Sequence, residues 1–135
     1  MLVGTRWMAD RSEYSLENIM LIVRRSIDTY ANDAAKQHST VGVPWDSDKI
    51  GRGIVEMETA LVSPYWIDAE VRDTFDQTKM TEGPRRRCAV VADDGQGTLL
   101  LFDPLADDFV LAQRSDSTIT TFGVRGDAVG CFLAR

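Results

Sequence analysis

The stretch Cys88-Ala-Val-Val-Ala-Asp93-Asp94-Gly95-Gln-Gly97-Thr-Leu99-Leu-Leu-Phe102-Asp103 decides the reading of the fold. Residues 87–92 and 98–103 are short apolar runs, and the Asp93-Asp94-Gly95-Gln96-Gly97 segment between them supplies turn chemistry. Together they predict a β-hairpin. Runs over 109–114 and 118–124 follow at regular short spacing, separated by the turn-rich segments 104–108 and 115–117, so the hairpin extends into an antiparallel meander. Residues 128–134 are ambiguous. Val129, Cys131, Phe132 and Leu133 suit either a strand or a short helix capped by Asp127, and Gly130 in their middle favours the strand.

Upstream of the hairpin the period changes from two to about 3.6. Ser15 can cap a helix whose apolar residues Leu16, Ile19, Met20, Val23, Ile27 and Tyr30 recur at spacings of three and four, with Glu17, Arg24, Arg25 and Asp28 on the other face. Residues 38–47, with Gly42 and Pro44, read as a loop. A second helix is predicted from Ser47 to about Leu61, although Gly51 and Gly53 each weaken its start by roughly 1 kcal/mol. Pro64 ends it, and Tyr65, Ile67, Ala69, Val71 and Phe75 then alternate with polar residues as in a half-buried strand. The fold class is therefore α+β: two N-terminal helices packed on a mainly antiparallel sheet of five to six strands. The 135 residues fit one domain, with 1–11 as a loose N-terminal segment.

A 44% apolar content excludes a disordered chain. Fifteen Lys and Arg against 21 Asp and Glu leave a charge of -6, the wrong sign for direct nucleic-acid binding. The longest uncharged apolar runs, 89–92 and 99–102, fall far short of the roughly 20 residues that span a bilayer, so no membrane partner is expected. Residues 1–12 carry Arg6, Asp10 and Arg11 and lack the apolar run of a signal peptide. Cys88 and Cys131 lie among apolar neighbours and read as reduced core thiols, which makes the expected compartment cytoplasmic.

His38 is the sole histidine and sits in a polar loop, and no Gly-x-Ser-x-Gly elbow is present. One His and two distant Cys do not form a zinc set, and neither Gly51-Arg52-Gly53 nor Gly95-Gln96-Gly97 has the context of a phosphate loop. No catalytic residue, metal or cofactor is expected. Arg85-Arg86-Arg87 reads as a solvated guard at a strand end, and Arg125-Gly126-Asp127 as a turn between strands. The acidic residues stand out: Asp93, Asp94, Asp103, Asp107, Asp108 and Asp116 accumulate against Arg114 alone. With Trp45 as an aromatic anchor, these six are the candidate partner-binding residues, and their charge would steer the chain towards a basic protein surface. The pairing proposed above puts Asp93 and Asp94 at one end of the hairpin and Asp103, Asp107 and Asp108 at the other.

The strand, Asp-Gly-x-Gly turn and apolar strand over residues 88–103 resemble the central hairpin of the SMI1/KNR4-like (SUKH) immunity proteins. The resemblance implies a small cytoplasmic protein that neutralises a cognate bacterial toxin by occluding its active site, with no catalytic residues to transfer. Two readings from other classes stay open. One is a small enzyme with a carboxylate-lined pocket, built from Asp73 with Asp103 or Asp68 with Glu70. The other is a homodimeric structural or regulatory subunit joined through its sheet.

Overall fold

In the computed structural model, which describes residues 14–32 and 47–135, the Ser15 hydroxyl accepts a hydrogen bond from Asn18 N at 3.2 Å and starts helix α1 (Leu16–Asn32). Ile19, Val23, Ile27 and Tyr30 form its buried face, while Arg24 and Arg25 on the opposite face are exposed, as the spacing predicts. Helix α2 (Ser47–Ala60) buries Ile50, Met57 and Ala60. Residues 1–11, His38 and Trp45 lie outside the described residues.

Helix α2 passes directly into strand β1 (Leu61–Glu70), so Pro64 sits inside the strand and does not end the helix. The reason is local. The β1 register on its neighbour shifts between Leu61 and Tyr65, and the other edge of β1 is paired only at Glu70, so neither ladder requires the amide that proline lacks. Phe75 does not extend the alternation. It opens the single turn α3 (Phe75–Thr78), where Thr74 and Gln77 form a reciprocal capping box.

The meander is as expected: β2 (Arg85–Asp93), β3 (Thr98–Asp103), β4 (Asp108–Ser115) and β5 (Thr118–Gly126) pair in antiparallel succession. There are five strands among the described residues, because residues 128–133 form helix α4 (Ala128–Leu133) and not a sixth strand. Asp127 caps α4 by accepting from Gly130 N. A Cβ at Gly130 would stand 2.5 Å from Asp127 Oδ1, so the glycine that argued for a strand is where the cap carboxylate folds over the first turn. The helices are consequently not all N-terminal.

The five strands close into a barrel in the order β1-β2-β3-β4-β5, with β1 and β5 parallel and paired at one position, Glu70 with Thr120. Ala69, Cys88, Val90, Leu99, Leu101, Val110 and Ala112 cluster on one side of the wall, with Ile67 and Ile119 against them. The intervening residues Ala89, Val91, Leu100, Phe102, Phe109 and Leu111 belong to a second cluster with the buried faces of α1, α2 and α4. Alternate side chains thus fill the barrel and support the helices, which is why β2 to β4 read as unbroken apolar runs and not as alternating ones. Among the described residues no helix is long and apolar enough to cross a membrane.

Gly53 occupies a close approach between α2 and α4, since a Cβ there would lie 1.8 Å from Leu133 Cδ2, whereas a Cβ on exposed Gly51 meets nothing within 4 Å. Gly51→Ala is expected to raise unfolding free energy by about 0.5–1 kcal/mol through helix propensity. Gly53→Ala, which forces Leu133 to move, is expected to gain less or to destabilise. Denaturant titration of the two variants checks the difference.

Candidate functional site

The acidic residues singled out in the sequence divide between the two ends of the barrel. At the end formed by the β2–β3 and β4–β5 turns, the Asp93 carboxylate accepts from Gly95 N and pairs with Arg114 at 3.6 Å. Asp94 accepts from Gln96 N and Thr98 N and faces Arg135 at 3.5 Å. These are turn-forming carboxylates. Exposed Asp116 sits nearby in the β4–β5 turn with a left-handed φ of 55°. Asp103, Asp107 and Asp108 lie at the opposite end, roughly 20 Å away along six-residue β3. The six do not form one surface.

Asp103 is a correction to the expected docking set, because its side chain is fully buried and ion-paired. Its Oδ2 accepts from Arg86 Nη1 at 2.7 Å and from Arg125 Nη1 at 3.1 Å, and its Oδ1 accepts from Leu105 N and Ala106 N. Arg125 also donates through Nε to Asp73 Oδ2 and through Nη1 to Asp108 Oδ1, each at 2.7 Å. The remaining Asp73 oxygen takes the Thr121 hydroxyl at 2.7 Å and Gly123 N at 2.9 Å. One guanidinium therefore gathers carboxylates from the segment after β1, the end of β3 and the start of β4.

Neither arginine's local sequence signals this role. Arg125 belongs to a tripeptide read as a turn, yet it ends β5 as the hub of the cluster, and Asp127 caps α4. Arg86 belongs to a run whose sequence reads as solvated, yet its side chain is part-buried against Asp103. Its neighbours are also engaged: Arg87 lies over the Trp66 ring at 5.3 Å and opposite Asp68, and Arg85 is opposite Glu70. Arg72 and Gly83 N hold Glu70 in turn, and its carboxyl lies below its ordinary value, first through the Arg72 hydrogen bond.

A groove of about 450 Å³ runs between α1 and this end of the barrel. Ile22 and Phe109 give it apolar surface, Arg25 lines it from the helix, and Asp107, Asp108 and Asp127 line it from the barrel end. At its lip, the β3–β4 turn is fixed from two sides. Asp103 Oδ1 binds the Leu105 and Ala106 amides, while the Tyr14 hydroxyl donates to Asp107 Oδ1 at 2.6 Å and Asp107 holds a φ of 56°, which Asp tolerates better than most residues. Tyr14 is itself packed 5.1 Å from Phe102. The turn presents Leu105, 79% exposed, next to Asp107.

Cys88 is buried in the barrel, and Cys131 is on the buried face of α4 with Sγ 3.6 Å from Phe109 O. Burial pushes both thiols up to about 12, so neither is an activated nucleophile. No group of three or more His, Cys, Asp or Glu suited to a metal ion occurs among the described residues. No protein-family model matches the chain, and neither a curated protein nor a solved structure matches it.

Acid titration should separate the carboxylates at Arg125. Burial pushes Asp73 up, but the Thr121 hydroxyl, Arg125 and the Gly123 amide outweigh it and hold the carboxyl below its ordinary value. Its stabilisation is present above the unfolded value, about pH 4, and is lost as pH falls through the folded one. Asp108 behaves oppositely, because burial outweighs Arg125 and raises its carboxyl, so its protonation favours the folded state as the solution becomes weakly acidic. Asp73→Asn is expected to cost about 3 kcal/mol at pH 7 and to flatten the stability loss below pH 4. Asp108→Asn should leave that acid limb in place. Urea titrations from neutral to acid pH check both outcomes.

Proposed function

We propose that this chain is a noncatalytic acidic binding protein of the immunity kind, acting in the cytoplasm, that docks on a basic surface of a cognate toxin and covers its active site. The observation that carries this reading is the fixed turn at the groove lip. Leu105 is held out to solvent on backbone already ordered by Asp103, with Asp107 and Asp108 beside it. An apolar contact framed by charge fits the anatomy of a protein interface, and a preordered turn loses little conformational freedom on binding. The carboxylates at Arg125 support the same reading. Asp73 and Asp103 come together as the enzyme alternative requires, but arginine, the Thr121 hydroxyl and backbone amides already occupy their oxygens.

On this reading the contacting acids are Asp107 and Asp108, with Asp127 at the groove, and Asp103 acts from beneath by shaping the turn. The charged rim speeds the encounter, and Leu105 slows escape. Surface plasmon resonance against a toxin domain encoded beside this chain's gene tests the division. Leu105→Asp is expected to accelerate dissociation about tenfold or more, the loss of one buried Leu side chain. Asp107→Asn, which keeps an acceptor for Tyr14, should slow association at about 0.1 M salt and lose its effect near 1 M. Wild-type rates for both variants would remove this end of the barrel as the docking surface.

A further inference from the structure

Residues 71–84 leave the barrel wall and return to it, and Val71 N donates to Pro84 O at 2.7 Å, so the ends of the excursion meet as in an Ω-loop. Arg72 organises the interior. Its Nε donates to Glu70 Oε1 at 3.0 Å, Nη1 to the carbonyl oxygens of Gln77 and Met80, and Nη2 to Thr81 O at 3.3 Å. Gly83 is required where the two arms touch, since a Cβ there would stand 2.7 Å from Val71 O. The capping box of α3 fixes the tip. With these polar groups satisfied inside the loop, the large apolar side chains it exposes are Phe75, 72% exposed, and Met80, 46% exposed.

Exposed apolar side chains on an ordered loop mark a contact surface, and the surrounding charges indicate with what. Asp76 and Glu82 are exposed on the loop, and so are Lys79 on the loop and Arg85 where β2 begins. On a chain of net charge -6, this face carries two charges of each sign. A strongly basic partner would meet attraction and repulsion here in equal measure. A second copy meets a complementary pattern, because a two-fold axis places each residue of the patch opposite its counterpart's neighbours.

We propose that this Ω-loop is a self-association surface on which two copies of the chain pack Phe75 and Met80 against each other, with Asp76 of one copy facing Lys79 of the other. Lys79 Nζ lies 4.1 Å from the Phe75 ring centroid, so one face of the ring is covered within each copy and the rest is free for the contact. The face is small beside the 20–30 residues a side of a standard interface, and the dimer is accordingly weak. It is distinct from the groove lip and does not depend on the toxin-binding reading.

Sedimentation equilibrium of the full chain from about 1 µM to about 1 mM covers the range in which a weak contact changes occupancy. The mass is expected to rise from 15.0 kDa towards twice that value. Phe75→Asp and Met80→Ser, both at exposed positions, should each weaken the dimer about tenfold or more while circular dichroism stays unchanged. Asp76→Lys should weaken it as well, and Asp76→Lys combined with Lys79→Asp should restore it. A mass of 15.0 kDa at every concentration overturns the proposal. So does a dimer that Phe75→Asp leaves intact, because another face then carries it.

Discussion

The Arg125 guanidinium, shared among Asp73, Asp103 and Asp108, is the contact on which the rest of the molecule depends. A five-stranded barrel needs a closing seam, and here the backbone ladder between β1 and β5 amounts to the single pairing of Glu70 with Thr120. Side chains complete the seam. Asp73 takes the Thr121 hydroxyl, the Gly123 amide and Arg125 Nε, and the Thr121 hydroxyl oxygen accepts from Arg72 N at 3.0 Å. A buried carboxylate such as Asp103 costs several kcal/mol to desolvate, and the structure meets that cost with two arginines and two backbone amides. Arg86 brings β2 into the same cluster, so β2 to β5 and the segment that follows β1 are linked at one end.

This cluster connects fold to proposed function through the two oxygens of Asp103. One oxygen holds the ends of β2 and β5 through arginine, and the other orders the turn that presents Leu105. The proposed docking turn is thereby anchored to the barrel. The groove beside it owes its opposite wall to α1, which is set on the barrel by Ile19, Val23 and Ile27. Below the helix layer, Phe102 and Phe109 stack edge to face at 5.1 Å and support both the groove and Tyr14.

The sequence was most legible where structure is set by near neighbours. The Asp93 to Gly97 turn fixes β2 and β3 through its own carboxylates, and Ser15 with the three-and-four spacing fixes α1. Misreadings came where a distant or unusual contact overrides a local rule. Pro64 is tolerated because its strand edge has no partner at that point, and Gly130 is helical because Asp127 reaches over it. Barrel closure left no periodic signal, since strands buried on both faces lose their alternation. The acidic accumulation and its division between the two ends of the hairpin were visible, but the burial of Asp103 was not. Asp73 and Arg125 meet across 52 positions, and the available clue was that acids at apolar strand ends require a cation nearby.

Native-state hydrogen exchange on the wild-type chain and on Arg125→Met tests most directly whether side chains, more than backbone pairing, hold the barrel shut. A sub-global opening is expected in the variant: the Arg72 and Gly123 amides, which bond to Thr121 and Asp73, lose far more protection than the amides of Leu100 and Leu111 in the β3–β4 ladder. An equal loss of protection at the seam and in that ladder would show instead that Arg125 stabilises the molecule as a whole without closing the barrel.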